Sequence, residues 1–133
     1  MVFGRRLVDV QYVGVAGLTQ TCIDAVQRLI QFRDRLSSSR LLTCHDRHGF
    51  LLQHEIEGLI AVRAGFSSGY QGEGPRGLSQ AIMLLQHHGI DLDEVAVAPG
   101  VLRRLDEGAL TDRDVERIQS TPPVRPLRLY DYV

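Results

Sequence analysis

Five glycines and a proline fall within 13 residues near the middle of the chain, in the run Gly65-Phe-Ser-Ser-Gly69-Tyr-Gln-Gly72-Glu-Gly74-Pro75-Arg76-Gly77. A regular strand or helix cannot continue through such a stretch, because glycine gives up most backbone freedom on ordering and proline lacks an N–H. On its N-terminal side Leu59 to Phe66 is an apolar run of strand length. On its C-terminal side Leu78, Ala81, Ile82 and Leu85 recur at helical spacing. The segment therefore reads as a strand-to-helix turn. Pro75 suits the first helical turn, where its missing N–H costs nothing, and Gly89 suits the exit.

Gly72, Gly74 and Gly77 satisfy G-x-G-x-x-G between a strand and a helix. Several features argue against a true dinucleotide fingerprint. Residues 67–71 separate the strand from the first glycine, Pro75 and Glu73 stand where a pyrophosphate would approach, and Asp91 and Asp93 precede a strand instead of ending one. A looser reading is an anion or nucleotide-like site over 69–79. Backbone amides at Gly72, Gly74 and Gly77, with Ser79 beside them, would face the ligand; Arg76 would clamp it and Tyr70 would cover it. The competing reading gives the glycines a conformational role only, with Gly77 letting the helix lie close to the sheet.

Val8, Val10 and Tyr12 alternate with Asp9 and Gln11, which predicts a strand ending near Gly14. Thr21 and Asp24 have capping-box spacing. Cys22, Ala25, Leu29, Phe32 and Leu36 then share one helical face, with Val26 and Ile30 beside it and Ser37 to Ser39 as its end. Leu41 to Asp46 and Phe50 to Glu55 read as a hairpin turning at Arg47, His48 and Gly49, with positive φ at the glycine. After Glu57 and Gly58 comes Leu59 to Phe66, completing a meander. Glu94 to Ala98 follows as a strand, then Gly100 to Glu107 and Thr111 to Gln119 as helices, the latter opened by a Thr111/Asp114 capping box. The order β-α-β-β-β-α-β-α-α predicts an α+β fold: a mostly antiparallel sheet of about five strands with helices packed on it. Residues 1–121 form the expected single domain and 122–133 an extended C-terminal tail, since three prolines there exclude a helix.

All 15 basic residues are arginine, and lysine, asparagine and tryptophan are absent. That excludes a Schiff base, a P-loop lysine and N-glycosylation. A net charge of -1 argues against binding to nucleic acid or an anionic membrane. No apolar run has the length of a signal peptide or membrane span, and Cys22 and Cys44 are too few for a disulfide framework. The expected location is the bacterial cytoplasm.

Cys44-His45-Asp46-Arg47-His48 with His54 and Glu55 has the residue types of a zinc site or a thiol nucleophile. Neighbours on a strand point to opposite faces, however, and no second ligand pair completes the set, so no metal and no cofactor is expected. His48 is placed in a solvated hairpin turn, His87 and His88 at a favourable helix C-terminus, and Glu55 and Glu57 at a solvated edge. In the tail, Leu127, Leu129, Tyr130 and Tyr132 alternate with Arg125, Arg128 and Asp131 and suit an interface. The primary expectation is a small accessory module, more a subunit than an enzyme, contacting a partner protein or a second copy of itself. The alternative is a binding domain or small enzyme for a phosphorylated or nucleotide-like compound at 69–79.

Overall fold

The structure, a computed structural model, describes residues 9–31, 36–56, 58–69 and 71–124. Its elements are β1 (Val10–Val13), α1 (Thr19–Ile30), β2 (Leu36–Cys44), β3 (Arg47–His54), β4 (Gly58–Ser67), α2 (Glu73–His87), β5 (Asp91–Ala96), α3 (Pro99–Glu107) and α4 (Asp112–Ser120). The element order matches the sequence expectation.

The sheet, ordered β1-β4-β3-β2-β5, is mixed and not mostly antiparallel. β2, β3 and β4 form the expected meander, but β1 pairs with β4 and β5 pairs with β2 in parallel. The physical reason lies in the connections. α1 follows β1, and α2 follows β4, as helical crossovers. A crossover carries the chain back to the starting end of the sheet, so the next strand runs the same way as the last. Four strands thus share one direction, with β3 alone reversed.

Strand alternation sends each sheet face into its own core. On one face Leu41, Phe50, Leu52, Ile60 and Val62 meet Cys22, Ile23 and Val26 of α1 and Leu78, Ala81, Ile82 and Leu85 of α2. On the other, Leu42, Leu51, Ala61 and Ala64 meet Val101, Leu102 and Leu105 of α3 and Val115 and Ile118 of α4. The result is a three-layer arrangement, helices on both faces of one sheet. Each fully buried Leu, Ile or Phe contributes about 1.5–3 kcal/mol. Polar ties fasten the second layer. Arg63 donates to the carbonyls of Asp106 (3.0 Å) and Gly14 (3.1 Å), and Asp106 accepts from the Ala64 amide at 2.8 Å.

Several local boundaries differ from expectation. α1 begins at Thr19, and Thr21 makes no capping box: its hydroxyl donates to the Leu18 carbonyl and accepts from the Val15 amide. Ser37 to Ser39 belong to β2, where Ser39 is satisfied by donating to the Asp91 carbonyl at 2.7 Å. Leu36 is likewise a strand residue, and Phe32 lies outside the described residues. The hairpin turns at His45 and Asp46, with Cys44 opposite Arg47; positive φ belongs to His45 (57°) and not to Gly49. Gly49 instead sits within β3, where a Cβ would meet Leu105 Cδ2 at 2.7 Å and the Val62 carbonyl at 2.8 Å. The Thr111/Asp114 capping box is present as expected, and α3 ends on Gly108 with φ 69°.

Candidate functional site

The glycine-rich turn leaves β4 at the sheet edge where β1, β2, β4 and β5 all present their carboxyl ends. Gly69 has φ 86°, a left-handed conformation that favours glycine. Gly72 is an extended N-cap, and α2 opens with Glu73, earlier than Pro75 alone would suggest. Pro75 has no N–H and the Arg76 amide is spent on the Gly72 carbonyl at 3.2 Å. The opening turn therefore keeps at most the Glu73 and Gly74 amides for a ligand. Gly74, Pro75 and Gly77 are buried, Gly72 and Ser79 half-buried, and Arg76 exposed; Tyr70 lies outside the described residues. Gly77 permits a close approach, but to α1 and not to the sheet: a Cβ there would meet the Thr19 Cγ2 methyl first and Ile23 Cδ1 at 3.1 Å.

A buried polar chain beside this turn escaped the sequence reading. Glu94 on β5 and His48 on β3 are both 0% exposed, and Thr43 on β2 is 5% exposed. Thr43 donates to Glu94 Oε2 at 2.7 Å, His48 Nδ1 lies 3.0 Å from the Thr43 hydroxyl, and His48 Nε2 lies 2.8 Å from Ser68 Oγ. The sheet register explains the contact, since Thr43 pairs directly with His48 while Glu94 sits opposite Leu41, one diagonal step away. His48 is thus no solvated turn residue. The hairpin turns two residues earlier than predicted, which moves His48 into the sheet. A signal was available in Gly65-Phe66-Ser67-Ser68-Gly69, which has the G-x-S-x-G form of a serine on a strand-to-helix turn; here the neighbour of its central serine meets the histidine.

The remaining candidates separate in space or chemistry. Cys22 and Cys44 are both free thiols. Burial pushes the Cys22 thiol up from its ordinary value, which disfavours the thiolate; the thiol lies 3.5 Å from the Val15 carbonyl and 3.4 Å from that of Arg63. Glu55 is exposed and Glu57 lies outside the described residues. His87 and His88 stack edge to face at 5.3 Å at the end of α2. Among the described residues no three His, Cys, Asp or Glu side chains gather where a metal ion would be held. No described helix is long and apolar enough to cross a membrane. Of the tail, residues up to Val124 are described, and the Val124 amide donates to the Glu94 carbonyl at 2.7 Å on β5. Leu127, Leu129, Tyr130 and Tyr132 lie outside the described residues.

Fold and site together define a mixed-sheet α+β domain, helix-covered on both faces, with an acid-to-serine polar chain at its carboxyl edge. No protein-family model and no curated protein matches the chain. Among solved structures, a chain of "Respiratory complex I from Thermus thermophilus" is similar to it, with a TM-score of 0.68 and 23% identity over 87% of this chain and 96% of that one. At that identity the likeness is one of fold.

Proposed function

We propose that this protein is a small accessory module of the bacterial cytoplasm that works by docking onto a larger protein assembly or a second copy of itself. The observation that carries the reading is the near whole-chain correspondence with a chain of respiratory complex I. In that neighbour the same fold stands within a multi-subunit assembly. The two edges of the sheet support it. β5 receives the Val124 amide, whereas among the described residues β1, four residues long, pairs only with β4. Just beyond β1, Val15 is 49% and Leu18 54% exposed, and both belong to the loop that opens α1. An edge strand with apolar residues beside it suits strand addition by a partner. The tail, with Leu127, Leu129, Tyr130 and Tyr132, is the second proposed contact surface.

The test is light scattering on the purified chain together with native electrophoresis of cell extract. Wild type is expected to run larger than one chain in at least one of the two, while Leu18→Asp or removal of residues 122–133 shifts it toward a monomer. A wild-type protein that is monomeric in both settings refutes docking.

A second reading keeps a small anionic ligand at 69–79. The carboxyl ends of β1, β2, β4 and β5 meet there, the edge at which open α/β sheets commonly bind ligands, and Arg76 is exposed on the first turn of α2. Phosphate esters or nucleotides are the ligands this reading names.

A further inference from the structure

The polar chain at the carboxyl edge runs from the interior to the surface. Its inner members, Glu94, His48 and Thr43, are 0%, 0% and 5% exposed, while Ser68 at the outer end is only half-buried. We propose that Ser68 is a nucleophilic hydroxyl, with His48 as its general base, that accepts the acyl group of an activated carboxylic ester.

Hydrogen-bond bookkeeping sets the direction. Thr43 has one hydroxyl proton, and it is donated to the Glu94 carboxylate at 2.7 Å. With Glu94 ionised, the Thr43 oxygen then has only lone pairs left for His48 Nδ1 at 3.0 Å, so Nδ1 carries a proton. In the neutral imidazole Nε2 is then the unprotonated nitrogen, and it faces Ser68 Oγ at 2.8 Å. That is the tautomer and the distance a base needs to take a hydroxyl proton. Ser68 is also held at its backbone, where its amide donates to the Asp46 carbonyl at 2.9 Å. Glu94 favours the imidazolium that forms, acting through Thr43; both are positioning residues.

In the reaction a bond forms between Ser68 Oγ and the ester carbonyl carbon while the hydroxyl proton passes to His48 Nε2. The bond from that carbon to the leaving oxygen then breaks, and the leaving oxygen takes the proton back from Nε2. The products are an acyl-serine and an alcohol or phenol, with no other reactant required. The inference is independent of docking: a subunit with an unreactive Ser68 and a reactive monomer are distinguishable outcomes.

The test uses the full chain and p-nitrophenyl acetate, with the site of acetylation found by peptide mass mapping. A positioned base is worth roughly 10²–10⁴-fold. Ser68 is therefore expected to be acetylated at least about a hundred times faster than Ser67, with Ser68→Ala losing the reaction and Ser67→Ala keeping it. His48→Gln is expected to slow it by about a hundredfold or more with circular dichroism unchanged. Should that variant fail to fold, the wild-type pH profile decides. A rate that climbs and then levels as an imidazole loses its proton supports the inference. Acetylation scattered over tyrosines and the N-terminus, Ser68 no faster than Ser67, or a rate that rises without a plateau overturns it.

Discussion

Adding one methyl group at Gly77 should destabilise the protein, even though glycine to alanine inside a helix ordinarily stabilises. In an open helix the exchange contributes about 1 kcal/mol in favour of the folded state. Here the new Cβ overlaps the Thr19 Cγ2 methyl and lies 3.1 Å from Ile23 Cδ1, both on α1. Thr19 cannot simply rotate, because its hydroxyl donates to the Gly65 carbonyl at 2.6 Å and the residue is 4% exposed. Rotation would strand that carbonyl, at a cost of about 1–3 kcal/mol. Displacing α1 from α2 instead costs about 1–3 kcal/mol as overpacking. Set against the helix-propensity gain, either route leaves Gly77→Ala less stable by up to about 2 kcal/mol. Thr19→Ser removes the offending methyl and keeps the hydroxyl. Combined with Gly77→Ala it should recover most of the loss, giving a coupling energy of about 1 kcal/mol or more. Urea unfolding followed by circular dichroism measures both, read as a shift in midpoint at constant slope. If Gly77→Ala raises the midpoint, or Thr19→Ser leaves the loss untouched, the close approach of α1 and α2 at this point is refuted.

Two further outcomes follow from the charged side chains of the fold. Asp114 accepts a two-pronged contact from Arg104 at 2.7 Å on each oxygen, and it caps α4 with Thr111. Burial alone pushes its carboxyl up, but the hydrogen bonds from Arg104 and Thr111 outweigh this and hold it below its ordinary value of 3.8. A group depressed in the folded state stabilises fully above its unfolded value and loses that contribution as pH falls through its folded value. Acid unfolding should therefore draw on Asp114 only below about pH 4. Asp114→Asn should flatten the decline in that window and cost about 1–3 kcal/mol at pH 7. For the anion reading, thermal-shift measurements against nucleotides and phosphate esters should show a rise in melting temperature that Arg76→Ala abolishes; no shift with any of them removes that reading.

How much was legible in the sequence depended on whether the signal was local. The Thr111/Asp114 box was, because capping chemistry is complete within four residues. The same pattern at Thr21 and Asp24 misled, because the Thr21 hydroxyl had nearer partners in Leu18 and Val15. The meander was legible from its apolar runs, but its first turn was assigned to the only glycine nearby, when His45 carries the positive φ. Strand direction at the edges was not legible, since Val10 meets Leu59 only in three dimensions. His48 shows the compound error: a turn misplaced by two residues changed a buried sheet histidine into an apparent surface one. The chemistry from Glu94 to Ser68 was hidden for the same reason, its members being scattered over β5, β2, β3 and the segment after β4.

The pairing of β1 bears on how the chain assembles as it is made. Its register, Val10 opposite Leu59, joins segments made far apart in time during synthesis. Neither β1 nor the apolar side of α1 has its sheet partners until β4 leaves the ribosome, whereas β2, β3 and β4 can zip together sequentially through short turns. β1 and α1 together are therefore a waiting segment, recruited late onto a nucleus built from β2, β3 and β4. Until it arrives, the outer side of β4 is a vacant seat that the same segment of a neighbouring chain fits equally well.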